Sequence, residues 1–92
     1  MKFSFHSIAL KDIDGQEMKE SHANKTLAFV IYRFTKNLDL VEKAMQMNRG
    51  EDVEFSKEEL KEVESMIDLP AGAIASFVRK ALHDYIASVQ VK

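Results

Sequence analysis

The apolar positions of this chain follow two rhythms, a helical one that governs the C-terminal half and a ragged alternation near the start. Ile74, Phe77, Val78, Ala81, Leu82, Tyr85, Ile86 and Val89 recur at i, i+3, i+4, i+7, i+8, i+11, i+12 and i+15. That spacing lays one apolar stripe along a long α-helix, predicted to start near Ala71, after the break at Pro70. Upstream, Leu60, Val63, Met66 and Ile67 form the inner face of another helix. Ser56-Lys57-Glu58-Glu59 opens it as a capping box, in which the serine hydroxyl and the third-position glutamate each satisfy a backbone N–H. Just before it, residues 52–55 alternate as a short strand, with Val53 and Phe55 inward and Asp52 and Glu54 outward.

The N-terminal half is less regular. Residues 2–20 read as a β-hairpin around Asp14-Gly15, a dipeptide suited to a two-residue type I′ turn. Such a loop pairs Ile13 with Gln16 and Lys11 with Met18. Phe3 and Phe5 are odd-numbered while Ile8 and Leu10 are even-numbered, so a bulge near His6-Ser7 or coverage of both faces is required. Residues 24–37 hold a run from Leu27 to Phe34 that fits either a helix or a buried strand. Helix is favoured, because the run exceeds strand length and Ser21 or Asn24 can cap it. Its inner face would be Leu27, Val30, Ile31, Phe34 and Leu38. Asp39, with Glu42 in the reciprocal position, is expected to cap a further helix that turns Leu40, Val41, Ala44 and Met45 inward, with Met47 as a weaker inward candidate. Arg49-Gly50 closes it with a cation and a left-handed glycine. The expected fold is therefore a single α+β domain over residues 1–92: an N-terminal β-hairpin, able to take residues 52–55 as a third strand, packed on about four α-helices.

Composition narrows the function classes. The chain has 92 residues, 46% of them apolar and 30% charged, enough for one modest core and unlike a disordered segment. It has no cysteine, which removes disulfides, thiolate metal sites and cysteine nucleophiles together. No signal-peptide apolar core is visible at the start, and no stretch approaches the roughly 18 apolar residues of a membrane span, so a cytoplasmic location is expected. Net charge is −2 but unevenly laid out. Residues 19–49 carry six Lys/Arg against three acids; residues 51–64 carry seven acids against two lysines. Opposed blocks of this kind are either ordinary solvated faces or complementary surfaces for self-association.

Candidate chemistry is sparse. His6, His22 and His83 lie on separate segments, none at helical ligand spacing from another, so no metal site is expected. The serines lack a nucleophile-elbow context, the three glycines are too far apart for a phosphate loop, and Glu58/Glu62 and Glu51/Glu54 sit in solvated charge runs that would not tune an acid or base. No enzymatic activity, cofactor or small-molecule substrate is expected.

Two resemblances extend this reading. Asp52-Val53-Glu54-Phe55-Ser56, the turn Leu69-Pro70-Ala71-Gly72 and the run Ser76-Phe77-Val78-Arg79-Lys80-Ala81-Leu82 resemble the ribbon-helix-helix DNA-binding pattern over about 35 residues. That resemblance implies a DNA-binding regulator whose strand residues read bases. Here those residues are Asp52 and Glu54, which repel phosphates, so nucleic acid is disfavoured as a partner. Over residues 8–86 the chain resembles a group of small bacteriophage- and prophage-encoded proteins. The shared features are Leu10-Lys11-Asp12-Ile13-Asp14-Gly15, Asn24-Lys25-Thr26-Leu27-Ala28, Ala44, and Arg49-Gly50-Glu51-Asp52-Val53-Glu54-Phe55-Ser56 ahead of a final Ala- and Leu-rich helix. It implies a phage accessory or assembly role and no catalytic or binding residue. The expected function is a non-enzymatic protein-interaction module that associates with itself and with another protein. Phe29, Tyr32 and Met47, which sit off the main apolar stripes, are the candidate interaction surface.

Overall fold

A computed structural model describes residues 1–18, 22–69 and 74–90. Lys2–Phe3 forms β1 and a 3₁₀ turn follows at Phe5–Ser7. Then come α1 (Ala23–Phe34), α2 (Leu38–Asn48), β2 (Val53–Glu54), α3 (Lys57–Ile67) and α4 (Ser76–Gln90). The α+β expectation holds, with four α-helices and a two-stranded antiparallel sheet, β1 beside β2, among the described residues. The strand expected at 52–55 forms and pairs with β1, placing Lys2 opposite Glu54 and Phe3 opposite Val53. Met1 and Phe55 extend the ladder by exchanging two backbone hydrogen bonds of 2.9 Å.

The switch from odd to even apolar positions near His6-Ser7 has a physical cause. The 3₁₀ turn Phe5–Ser7 follows the strand, so Phe3 in the strand and Phe5 at the start of the turn point into the core and Leu10 does so after it. The turn at Asp14-Gly15 also forms, but in a different register from the one expected. Gly15 donates to the Asp12 carbonyl at 3.0 Å and takes φ +84°, and the bridge joins Lys11 to Glu17 rather than to Met18. The loop is thus one residue longer than a type I′ turn and ends on a left-handed glycine. The Asp12 carboxylate selects it by accepting from the Asp14 and Gln16 amides at 2.9 and 3.0 Å. Ile13, expected as a paired strand residue, stands fully exposed at the tip.

Segment 24–37 is helical as far as Phe34, which settles the helix-or-strand ambiguity. Its capping differs from expectation. His22 is the N-cap residue and makes no side-chain cap, Ser21 lies outside the described residues, and Asn24 is inside the helix. Asn24 is instead buried, and its Nδ2 donates to the Met47 carbonyl at 2.7 Å, fastening α1 to the end of α2. The helix stops before Leu38 because Asn37 caps the next one, its Oδ1 accepting from the Asp39 amide at 3.0 Å. Asn37, not Asp39, is therefore the cap, and Leu38 opens α2 exposed to solvent rather than closing the inner face of α1. The far end of α2 follows the sequence. Gly50 at φ +80° donates to Met47 O and Glu51 donates to Gln46 O, both at 3.0 Å, closing a Schellman motif.

The Ser56 capping box is complete. Ser56 Oγ accepts from the Glu59 amide at 3.2 Å, and Glu59 Oε1 accepts from the Ser56 amide at 2.9 Å. Glu59 Oε1 also accepts from Lys43 Nζ at 2.8 Å, so one carboxylate both caps α3 and ties it to α2. This partnership lowers the Glu59 pKa below its ordinary range, with the Lys43 hydrogen bond as the main cause and the Ser56 amide next. In α4, Val78, Leu82 and Ile86 are buried, Ala81, Tyr85 and Val89 pack against the core edge, and Phe77 sits on the exposed flank. The start expected near Ala71 and the Pro70 break lie outside the described residues; the described helix opens at Ser76.

One connected apolar cluster holds these elements together, with Phe3, Phe5, Phe55, Leu27, Ile31, Leu40, Ile67, Leu82 and Ile86 among its fully buried members. Phe3, Phe5, Phe55 and Tyr85 form an aromatic knot with centroids 5.3–6.2 Å apart, mixing one stacked pair with tilted and edge-on pairs. Through it the N-terminal strand, β2 and α4 share one packing centre. No described helix is long and apolar enough to cross a membrane.

Candidate interaction surface

Helices α1 and α2 pack more extensively on each other than any other pair of elements. Small residues permit the close approach: Ala28 and Ala44 are buried on the facing sides. Outside this contact the two helices leave a groove of about 390 Å³. Ala28 and Ala44 form its floor, Phe29 and Tyr32 its α1 wall, and Met45, Asn48 and Arg49 its α2 wall. The wall side chains are bare to solvent, with Phe29 62%, Tyr32 59% and Met45 48% exposed. Leu38, 82% exposed, lies seven residues before Met45 on the same side of α2, with Glu42 between them.

Of the candidate residues, Phe29 and Tyr32 lie together on this surface and Met47 does not. Met47 is 1% exposed and belongs to the core, while Met45 takes the outward place that had been expected of Met47. The reason is helical phase. Leu40, Ala44 and Met47 fall at i, i+4 and i+7 and form the single buried stripe of α2. Leu38 and Met45, seven apart, form a second stripe a quarter-turn or more away. The Leu40-Ala44-Met47 spacing was present in the sequence, and choosing it as the only stripe would have exchanged the two methionines.

Two arginines flank the groove, Arg49 in its α2 wall and Arg33 beside Phe29. The Arg33 guanidinium carbon lies 6.0 Å from the Phe29 ring centroid and 5.7 Å from that of Phe34, at the outer edge of cation–π range. Lys25 is exposed on the same helix one turn before Phe29, Lys36 is exposed in the loop after the helix, and neither they nor Arg33 make an ion pair among the described residues. Two other cations of the basic block are spent inside the chain: Lys43 on Glu59, and Arg49 on Glu51 at 2.7 Å. The opposed charge blocks thus meet partly within one molecule, and of the cations left over Arg33 lies against the Phe29 wall of the groove.

A polar cluster lies elsewhere, at the start of the sheet. Ser4 Oγ donates to Asp52 Oδ1 at 2.6 Å, the Ser4 amide donates to the Tyr85 hydroxyl at 2.6 Å, and Lys2 and His6 each approach Asp52 to 3.8 Å. Asp52 titrates below its ordinary value, chiefly because Ser4 donates to it, with Lys2 and His6 adding attraction. Serine, histidine and aspartate are all present, but the serine hydroxyl points at the carboxylate rather than at the imidazole, so His6 is not placed as its base. His83 Nε2 lies 3.0 Å from Asp68 Oδ1, a surface pair linking α4 to the end of α3. Among the described residues no cluster of acidic or histidine side chains could hold a metal ion. The strand that the ribbon-helix-helix resemblance assigns to DNA is β2. It is paired with β1, and its exposed residue is Glu54.

No family model, curated protein or solved structure matches this chain.

Proposed function

We propose that the protein is a non-enzymatic interaction module that associates with further copies of itself through the outer face of α1 and α2, as an accessory or assembly protein of the bacteriophage or prophage type. The observation that carries this reading is the clustering of Phe29, Tyr32 and Met45 around one groove, all roughly half or more exposed in a chain too small to leave apolar side chains out of its core without cost. Aromatic and methionine side chains above a floor of alanines have the composition of a protein-binding surface, since they offer large contact area with little rotamer entropy or adapt to a partner's shape. Among the described residues the groove is lined by aromatic, aliphatic, amide and arginine side chains, a lining suited to adhesion. The assembly role rests on the resemblance in element order and turn signals over residues 8–86.

Light scattering behind a sizing column, run over a range of loading concentrations, tests the proposal. A mass that rises above that of one 10.5 kDa chain with concentration supports it. A constant monomer mass at tens of micromolar and above overturns it.

A further inference from the structure

The groove is one half of a contact, and the chain carries a side chain suited to the other half. Ile13 is the most exposed large apolar residue described, at 101%, on the outermost point of the 11–17 turn. Turn tips ordinarily carry Gly, Asn, Asp, Ser or Pro, and a β-branched aliphatic there contributes nothing to the turn itself. The turn is held independently of it, by the Asp12 carboxylate and the Gly15–Asp12 hydrogen bond. Asp12 and Asp14 flank Ile13, and residues 11–17 carry three carboxylates against one lysine. The tip is an apolar knob in an acidic collar.

The groove has the inverse character: an apolar hollow with Arg33 against its Phe29 wall and Lys25 one helical turn before Phe29, neither of which has an ion-pair partner among the described residues. Two grooves laid face to face would set these cations against each other, which disfavours a symmetric pairing of the two faces. The exposed side of α3 presents Lys57, Glu58, Lys61 and Glu62, a balanced set of charges, and no large apolar side chain to fill the hollow. Ile13 with its two aspartates supplies both the apolar filler and the opposite charge.

Building on the interaction reading above, we infer that the Ile13 turn of one copy docks into the α1–α2 groove of the next. The contact is head-to-tail. Each molecule has one knob and one hollow, and association propagates until a ring closes or a filament runs on. The contact patch is one turn tip in one groove, so each step is weak and reversible, with a dissociation constant on the order of tens to hundreds of micromolar.

The test is a mixing experiment by sedimentation velocity. Ile13→Asp removes the knob and leaves the groove intact; Met45→Glu blocks the groove and leaves the knob. Both positions are exposed, and matching thermal melts establish that both variants fold. The wild type is expected to grow past the dimer as concentration rises. Each variant alone should stay monomeric, its self-association weakened by tenfold or more. An equimolar mixture should form a one-to-one heterodimer and stop there, because only one knob and one groove remain. Arg33→Glu weakens association in the same direction, and Asp14→Lys on the partner copy restores it. If Ile13→Asp associates as the wild type does while Met45→Glu does not, the knob assignment falls and the groove reading stands. If the mixture stays monomeric, head-to-tail docking is wrong. If the wild type itself never associates, both readings fall.

Discussion

Replacing Glu59 separates two jobs that the fold gives to one carboxylate. Its Oε1 takes the Ser56 amide at 2.9 Å and the Lys43 ammonium at 2.8 Å. The side chains of Glu59 and Lys43 are 16% and 27% exposed, so the pair is only partly screened by water. Glu59→Gln keeps an oxygen for the cap and loses the ion pair, which should cost about 1 kcal/mol. Glu59→Ala loses both; adding about 1 kcal/mol for the cap brings the loss to roughly 2 kcal/mol. For a domain of this size each kcal/mol moves the midpoint of thermal unfolding by about 4–8 °C, so Glu59→Ala should melt some 10 °C early. Lys43→Met tests the coupling. It keeps most of the aliphatic stem near the Phe55 ring, over which the ammonium lies 5.6 Å from the centroid, and discards the charge. Urea unfolding of the wild type, Lys43→Met, Glu59→Gln and the double variant forms a cycle, with an expected coupling of about 0.5–1 kcal/mol. The acid limb adds a second reading. Because folding lowers the Glu59 pKa, its contribution is present above the ordinary value of 4.5 and is lost as pH falls through the depressed one. The gap between wild type and Glu59→Gln should therefore close on acidification below that range. A coupling near zero together with a pH-independent gap would refute the assignment of both roles to this side chain.

Three further outcomes follow from the same geometry. Asn24→Asp places a carboxylate against the Met47 carbonyl at a site 6% exposed and should destabilise by about 3 kcal/mol or more, whereas Asn24→Leu should cost only about 1–2, because Met47 O keeps its bond from Gly50; equal losses in urea would show that the amide is not the fastener. Tyr85→Phe leaves the Ser4 amide without its 2.6 Å acceptor, which should cost about 1 kcal/mol and speed exchange of that amide with deuterium, and unchanged exchange would count against the bond. Phe55→Ala opens the aromatic knot between β2 and α4 and should cost about 3–5 kcal/mol, enough to leave so small a domain largely unfolded by circular dichroism.

What the sequence made legible was local chemistry with one dominant reading. The Ser56 box, the Gly50 stop, the inward Val53 and Phe55, and the α4 stripe all appear where residue type and spacing leave no competitor. The errors arose where two local signals competed. Asn37 and Asp39 are both good caps, and the nearer end of α1 decided for Asn37. Asp12 can hold a longer turn than Asp14-Gly15 alone suggests, which moved Ile13 from a paired position to the tip. In α2 two apolar stripes share eleven residues, and only packing against α1 shows that the Met47 stripe is buried and the Met45 stripe is bare. The interaction surface was therefore half visible. Phe29 and Tyr32 could be found as residues surplus to the α1 stripe, but their neighbour across the groove depended on how two helices meet.

The account stands on the outer face of α1 and α2 being the surface through which molecules meet. An amide chemical-shift dilution series, from several hundred micromolar down to about ten, reports that surface residue by residue across the range where weak contacts dissociate. The expected result is shifts confined to Phe29, Tyr32, Arg33, Met45 and Arg49, together with the 12–15 turn, while α3 and α4 stay fixed. Shifts centred on α3 or α4, or none over the whole range, would contradict it.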